Sequence, residues 1–201
     1  LDKKYKLFVF DMDGVIVDSM PALRELGICL IQIGGGFKRE HAERCYDATV
    51  GHPFRTQVMA AFPDLGLNDL HIKDVVDAYT RMHTIMAPMF PIVEDWEDLV
   101  HDFFKMEVSI ALVSSTHKDI VLEMVQLPDF DYLGGWTLGF TKDKQIIDAC
   151  YHLDISSDQA MLFGDSKSDA DCAADVGCDF TMTSFEKMSE DVNDVLDSMN
   201  K

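Results

Sequence analysis

The sequence predicts an α/β fold, a doubly wound parallel sheet whose first two strands are separated by a helical insertion. Three observations carry this expectation. Short apolar runs of strand length recur along the chain, stretches with helical spacing lie between the later runs, and one long early segment is patterned for helices alone. With 201 residues, 47% of them apolar, there is room for one such core and one small insertion.

In chain order, the first run is Leu7 to Phe10, which ends in Asp11, Met12, Asp13 and Gly14. From Met20 to Pro91 the pattern is helical, punctuated by Gly34-Gly35-Gly36, Gly51-His52-Pro53, Pro63 and Pro88. The triple glycine reads as a plain turn and the most flexible point of the segment, because no strand precedes it to make a phosphate loop. The expected division is residues 1–19 and 92–201 for the core and 20–91 for the insertion. Lying between the first two strands, the insertion sits above the sheet's carboxyl edge, where it can cover a site and select substrates.

The second strand is Ser109 to Val113, followed by a helix with Ile120, Met124 and Leu127 on one face. A weaker strand is expected near Trp136 to Leu138, and then a helix through Ile146, Cys150 and Leu153. Strands at Met161 to Phe163 and Phe180 to Met182 come next, and a helix through Phe185, Met188, Val192, Val195 and Met199 closes the chain. In such sheets ligands bind outside the carboxyl ends of the strands.

Composition narrows the partners. Asp and Glu number 36 against 17 Lys and Arg, a formal charge of −19, so the summed field repels nucleic acid and anionic membranes, and neither is an expected partner. A small phosphate ester still binds if a metal ion and a few cations reverse the field locally. The five cysteines are odd in number and form no C-x-x-C pair, which argues against a zinc site and a disulfide framework and fits a reducing cytoplasm. No apolar run reaches the roughly 18 residues of a membrane span. The start LDKKYKLFVFD lacks the shape of a signal peptide.

Four segments carry the chemistry. In LFVFDMDGVIVDS a strand delivers Asp11 and Asp13 to the sheet's edge, one placed to attack phosphorus while holding a hard cation, the other to protonate a leaving oxygen and then activate water. Taken alone, D-x-D-G also suits a simple turn. In SIALVSSTHKD the hydroxyls of Ser114 and Ser115 and the amides of the following turn suit phosphoryl oxygens, although Ser115 or Thr116 equally suits a helix cap. In GFTKDKQII either Lys142 or Lys144 can supply a fixed cation. In MLFGDSKSDADCAADVG, Asp165 stands at a strand end where a metal binds, and Asp169, four residues on, can order its waters or the lysine, or simply face the helix dipole.

In this order and at these strand ends, the four segments resemble the motifs of the haloacid dehalogenase superfamily. The resemblance implies a Rossmann-like core with Asp11 as nucleophile, Asp13 as general acid and base, and Ser114 as phosphate binder. It further implies Mg2+ on Asp11, Asp165 and the Asp13 backbone carbonyl, and it favours Lys142 over Lys144. The insertion looks like the C1 cap of the phosphoglycolate phosphatase and beta-phosphoglucomutase branch, in which YDATVGHPFRTQV resembles the segment facing the site, with Arg55 as a contact to the substrate's second anionic group.

Two departures stand out. The usual Pro-Gly before the second motif's helix is replaced by Phe90-Pro91-Ile92-Val93-Glu94, and the lysine segment lacks the K-P-x-P form. The function implied is a Mg2+-dependent phosphatase acting on a small phosphorylated metabolite. A phosphomutase would use the same residues, and a catalytically idle binding module would keep the fold. A dehalogenase needs no second aspartate such as Asp13, and a phosphonatase needs a Schiff-base lysine where Phe54 and Arg55 stand.

Overall fold

Parallel strands buried on both faces require continuous apolar runs, and the runs of this chain build such a sheet. In the computed structural model, which describes residues 4–64, 70–124, 127 and 129–200, the strands are β1 (Leu7–Asp11), β2 (Ser109–Val113), β3 (Tyr132–Leu133), β4 (Ala160–Gly164) and β5 (Asp179–Met182). Residues 1–3, 65–69, 125, 126, 128 and 201 of the expected core and insertion lie outside the described residues. The sheet order is β3-β2-β1-β4-β5 and every pairing is parallel. Chain order thus runs outward from β1 in both directions, which makes the carboxyl end of β1 the switch point where such sheets open a crevice.

Alternation along the strands divides the core. Phe8, Phe10, Leu112 and Phe163 face one side, where Phe10 stacks on Phe163 with centroids 5.1 Å apart. Leu7, Val9, Ala111, Val113 and Leu162 face the other. The register sets Asp11 beside Val113 and Phe10 beside Phe163, so Asp11, Ser114 and Asp165 emerge at one edge.

The helices are α1 (Met20–Gly35), α2 (Arg39–Asp47), α3 (Phe54–Ala61), α4 (Leu70–Met86), α5 (Trp96–Lys105), α6 (Lys118–Glu123), α7 (Lys142–His152), α8 (Lys167–Val176) and α9 (Met188–Met199). The first four lie between β1 and β2 and share an apolar cluster of their own, including Ile28, Ile31, Tyr46, Phe54, Val58 and Ile72. The triple glycine is more ordered than the plain turn expected. Gly34 and Gly35 complete α1, and Gly36 ends it at a left-handed φ of 62°, where its amide and the next close the last turn.

The expected strand at Trp136 to Leu138 is corrected. Leu138 is 92% exposed, Thr137 pairs back on Phe140 across Gly139, and Trp136 makes only a single parallel bridge to His117, so this run is a tight turn and not a strand of the sheet. The edge strand is instead Tyr132–Leu133, whose two residues pair with Ala111 and Leu112. The helix expected through Leu127 is also shorter, ending at Glu123 with Met124 as its buried cap residue.

Candidate active site

Lys142, at the start of α7, ties the end of β1 to the first turn of α8. Its Nζ lies 2.9 Å from Asp11 Oδ1 and 2.5 Å from Asp169 Oδ1, with all three side chains buried. Lys144, the other candidate, is exposed and donates to the Gly139 carbonyl at 2.6 Å. One turn of α7 separates Lys142 from the inward-facing Ile146, which explains why the first residue of this helix points into the protein and the third does not. Asp169 is held on both sides. Its Oδ2 accepts from Ser166 N at 3.1 Å and from Ser166 Oγ at 2.6 Å, which closes a capping box at the start of α8. Gly164 is required beside it, since a Cβ there would lie 2.5 Å from Asp169 Cβ.

Asp11 Oδ1 also accepts from the Met12 amide at 2.8 Å. Asp13, half-buried two residues on, accepts from Ser19 Oγ and from Thr116 Oγ1, each at 2.6 Å, one on each carboxylate oxygen. Between Asp13 and this network, Gly14 turns the chain at a φ of +83°, where a Cβ would stand 2.3 Å from Asp165 Oδ2. The turn therefore admits only glycine on two counts, conformation and space.

The second segment divides its labour among three hydroxyls. Ser114 is fully buried, its Oγ accepts from the Thr116 amide at 2.9 Å, and it lies 3.5 Å from Asp13 Oδ2. Ser115 and Thr116 line the cavity above the sheet, and Ser115 Oγ donates to the Gly51 carbonyl of the insertion at 2.8 Å. Sequence reasoning passed over Gln145, Ser19 and Ser166 and read Thr116 only as a helix cap, whereas the cap of α6 is His117 and Thr116 holds Asp13. Gln145 clamps the strand end, accepting from Ser114 N and donating to Ser114 O, both at 3.0 Å. Its only sequence signal is a polar residue beside Ile146 on the buried face of the helix.

The cavity between sheet edge and insertion has a volume of about 500 Å3 and contains Asp11, Asp13, Lys142 and Asp165 on its floor. Arg55 lines it from α3, half-buried, together with Tyr46, Tyr79 and His83 from the insertion. All the residues expected to carry chemistry thus converge here, with Ser114 just behind the wall and Asp169 beneath Lys142.

Burial and neighbouring carboxylates set the charges. Burial pushes the Asp11 carboxyl well above the usual range, against the pull of Lys142. Burial, then Asp169, raises Asp165 to about 6. Burial alone would lower Lys142, but Asp11 and Asp169 hold it raised and charged. Carboxylate oxygens of Asp11, Asp165 and Asp169 come within 4.8 Å of one another. Because Lys142 and Ser166 occupy both oxygens of Asp169, the pair open to a cation is Asp11 and Asp165. An all-oxygen set with more negative charge than Lys142 neutralises fits a hard divalent ion.

The sequence profile of the family described as haloacid dehalogenase-like hydrolase matches residues 8–183. No curated protein matches the chain by sequence. Among solved structures, a predicted phosphatase from Clostridium acetobutylicum is similar at 18% identity and a TM-score of 0.72, covering 98% of each chain. A haloacid dehalogenase-like family hydrolase from Streptococcus pneumoniae aligns at 16% identity and a TM-score of 0.68, over 93% of this chain and 90% of its own. CbbY from Rhodobacter sphaeroides, solved in complex with phosphate, aligns at 18% identity and a TM-score of 0.68, over 90% of this chain and 86% of its own. A substituted form of CbbY has been solved with xylulose-(1,5)bisphosphate.

Proposed function

Because the chain belongs to the haloacid dehalogenase-like hydrolase family, we propose that it is a Mg2+-dependent phosphatase releasing phosphate from a small phosphorylated metabolite through an aspartyl-phosphate on Asp11. The observation that carries this reading is the buried Lys142 ammonium shared between Asp11 and Asp169. A fixed charge beside a nucleophilic carboxylate neutralises the oxygens of a phosphoryl group in transfer, which needs little beyond positioning and charge.

Asp11 attacks phosphorus as the bond to the leaving oxygen breaks, and Asp13 gives that oxygen its proton. The carboxylate of Asp13 then takes a proton from water, which attacks the phosphorus of the acyl phosphate and frees Asp11. Ser19 and Thr116 hold Asp13 in place for both steps. The backbone amides of the Ser115–Thr116 turn hold phosphoryl oxygens, and the Ser114 and Ser115 hydroxyls join them once they release Asp13 and the Gly51 carbonyl, while Thr116 keeps its hydroxyl hydrogen on Asp13. Asp169 and Ser166 keep Lys142 aimed. Asp11, Asp165 and the Asp13 backbone carbonyl would hold Mg2+, which would further neutralise the phosphoryl oxygens.

Residues 20–91 act as a cap that shields the site from water, with Arg55 contacting the substrate. Support for a phosphorylated small molecule comes from the cavity's volume and from the phosphate and bisphosphate held by CbbY.

The test is phosphate release, with Mg2+ and with chelator, from phosphoglycolate, hexose 1- and 6-phosphates and nucleoside monophosphates. Wild-type release that disappears with chelator and in Asp11→Asn is the expected result. No release from any ester by Mg2+-loaded wild type would sink the reading and point to a mutase or an idle module.

A further inference from the structure

The insertion's wall of the cavity carries two buried polar atoms that meet no hydrogen-bond partner among the described residues, Gln57 Oε1 and His83 Nε2. Gln57 is 5% exposed and His83 1% exposed, and both line the cavity that contains Asp11 and Asp13. The identity of the Gln57 atom is fixed by its other contact. Its Nε2 donates to the His52 carbonyl at 2.9 Å, and a carbonyl oxygen can only accept, so the amide cannot be flipped and Oε1 is a buried acceptor on a residue of the cavity wall.

Two neighbouring threonines repeat this polarity. Thr80 and Thr84 of α4 also line the cavity, but their hydroxyl hydrogens are spent on the carbonyls of Val76 and Thr80, each at 2.9 Å. They offer the cavity only lone pairs. Asp77, on the same helix, is likewise an acceptor. Burial lowers the His83 pKa, so its ring is neutral at neutral pH and brings no charge to attract an anion. A carboxylate or second phosphate placed against Gln57 would meet an acceptor with acceptors, whereas hydroxyl groups donate to Gln57 Oε1 and pair with either tautomer of His83. Arg55 brings a positive charge to the same wall, but the atoms left without partners are those of Gln57 and His83.

Resting on the phosphatase reading above, we propose that Gln57 and His83 form a specificity subsite for hydroxyls of the leaving alcohol, so that the substrate is a sugar or polyol phosphate and not the phosphate of a hydroxy acid. Both residues are specificity determinants; the phosphoryl chemistry stays with Asp11 and Asp13.

The test is calorimetric binding, with Mg2+, of hexose 6-phosphate, pentose 5-phosphate, glycerol phosphate and phosphoglycolate to the full chain carrying Asp11→Asn, alone and combined with Gln57→Met or His83→Phe. The expected result is that at least one polyhydroxylated ester binds about tenfold or more tightly than phosphoglycolate. Each added substitution should then weaken that ester about ten- to hundredfold and collapse the ratio. Deoxy analogues of that ester read the same contact from the ligand side without altering the protein, so a variant that fails to fold does not block the test. One deoxy analogue should lose about tenfold.

Preference for phosphoglycolate, or a ratio untouched by both substitutions and by every deoxy analogue, overturns the subsite and leaves the phosphatase reading intact. Selective binding through Gln57 without hydrolysis by the wild type supports the subsite and overturns the phosphatase reading. No binding of any ester overturns the subsite.

Discussion

At the scale of single residues the site turns on Lys142, whose ammonium is the only cation touching either Asp11 or Asp169 among the described residues. Both carboxylates are buried, at 5% and 0% exposure, so removing the cation strands two like charges in a medium that solvates neither. Lys142→Met should therefore destabilise the metal-free protein by about 3–5 kcal/mol, read as a lowered midpoint in denaturant. Turnover should fall about 100- to 1,000-fold, with kcat affected more than KM, because the charge matters most as the phosphoryl group transfers. An active, equally stable variant would show that the lysine is dispensable. Residues of this kind were legible in the sequence because each stands within two positions of a strand's end or at a helix start, where local pattern alone predicts placement. Gln57 and His83 were not, and Thr116 was legible only as a helix cap, because their significance depends on what faces them across the cavity. Ser114 was legible as a strand-end hydroxyl, but not the bond from the Thr116 amide that turns it behind the wall.

At the scale of elements, the loop between α2 and α3 is the seam between insertion and sheet. Gly51 there has a φ of +85°, its carbonyl accepts from Ser115, and a Cβ on it would stand 2.5 Å from Ser166 Oγ and 3.0 Å from Ser168 Cβ. Gly51→Ala strains the backbone and pushes the loop off the residues that position Asp169. Because the insertion has its own apolar cluster, the loss should fall on docking and not on folding. Kinetics should show KM raised several-fold with a stability loss of only about 1–2 kcal/mol. A large drop in melting temperature with unchanged KM would contradict this division. The same logic explains which elements the sequence revealed. β1, β2 and β4 are buried along nearly their whole length, so their apolar runs are unbroken. β3 is a two-residue edge strand whose Tyr132 and Leu133 are half-buried, too short to leave a pattern, and the nearby apolar run at Trp136 to Leu138 drew the assignment instead.

At the scale of the whole molecule, a net charge of −19 converges on a cavity floor where Asp11 and Asp165 are both shifted upward by burial. Two separable effects follow. Diffuse repulsion among surface carboxylates opposes the compact state and is relieved by any salt within a Debye length of about 8–10 Å near physiological ionic strength. The local effect belongs to the floor. A carboxyl whose folded pKa lies above its unfolded value contributes stability below the unfolded value, and that contribution is lost as pH rises through the folded one. For Asp165 the window runs from the ordinary value of 3.8 up to about 6, so above it the metal-free protein bears the cost of a buried charge. On the Mg2+-dependent reading proposed above, bound Mg2+ would offset that cost and KCl would not. At about pH 7.5 and matched ionic strength, MgCl2 should raise the melting temperature of the chelator-treated protein more than KCl does. The difference should shrink at about pH 5, where Asp165 is protonated and the ion must displace a proton to bind. Asp165→Asn should raise the melting temperature of the metal-free protein at the higher pH, because it removes the buried charge, and should erase the extra effect of Mg2+ while leaving the rise common to both salts. Equal shifts from the two salts in the wild type would mean that the floor does not bind the ion and that the acidity of the chain acts through its surface alone.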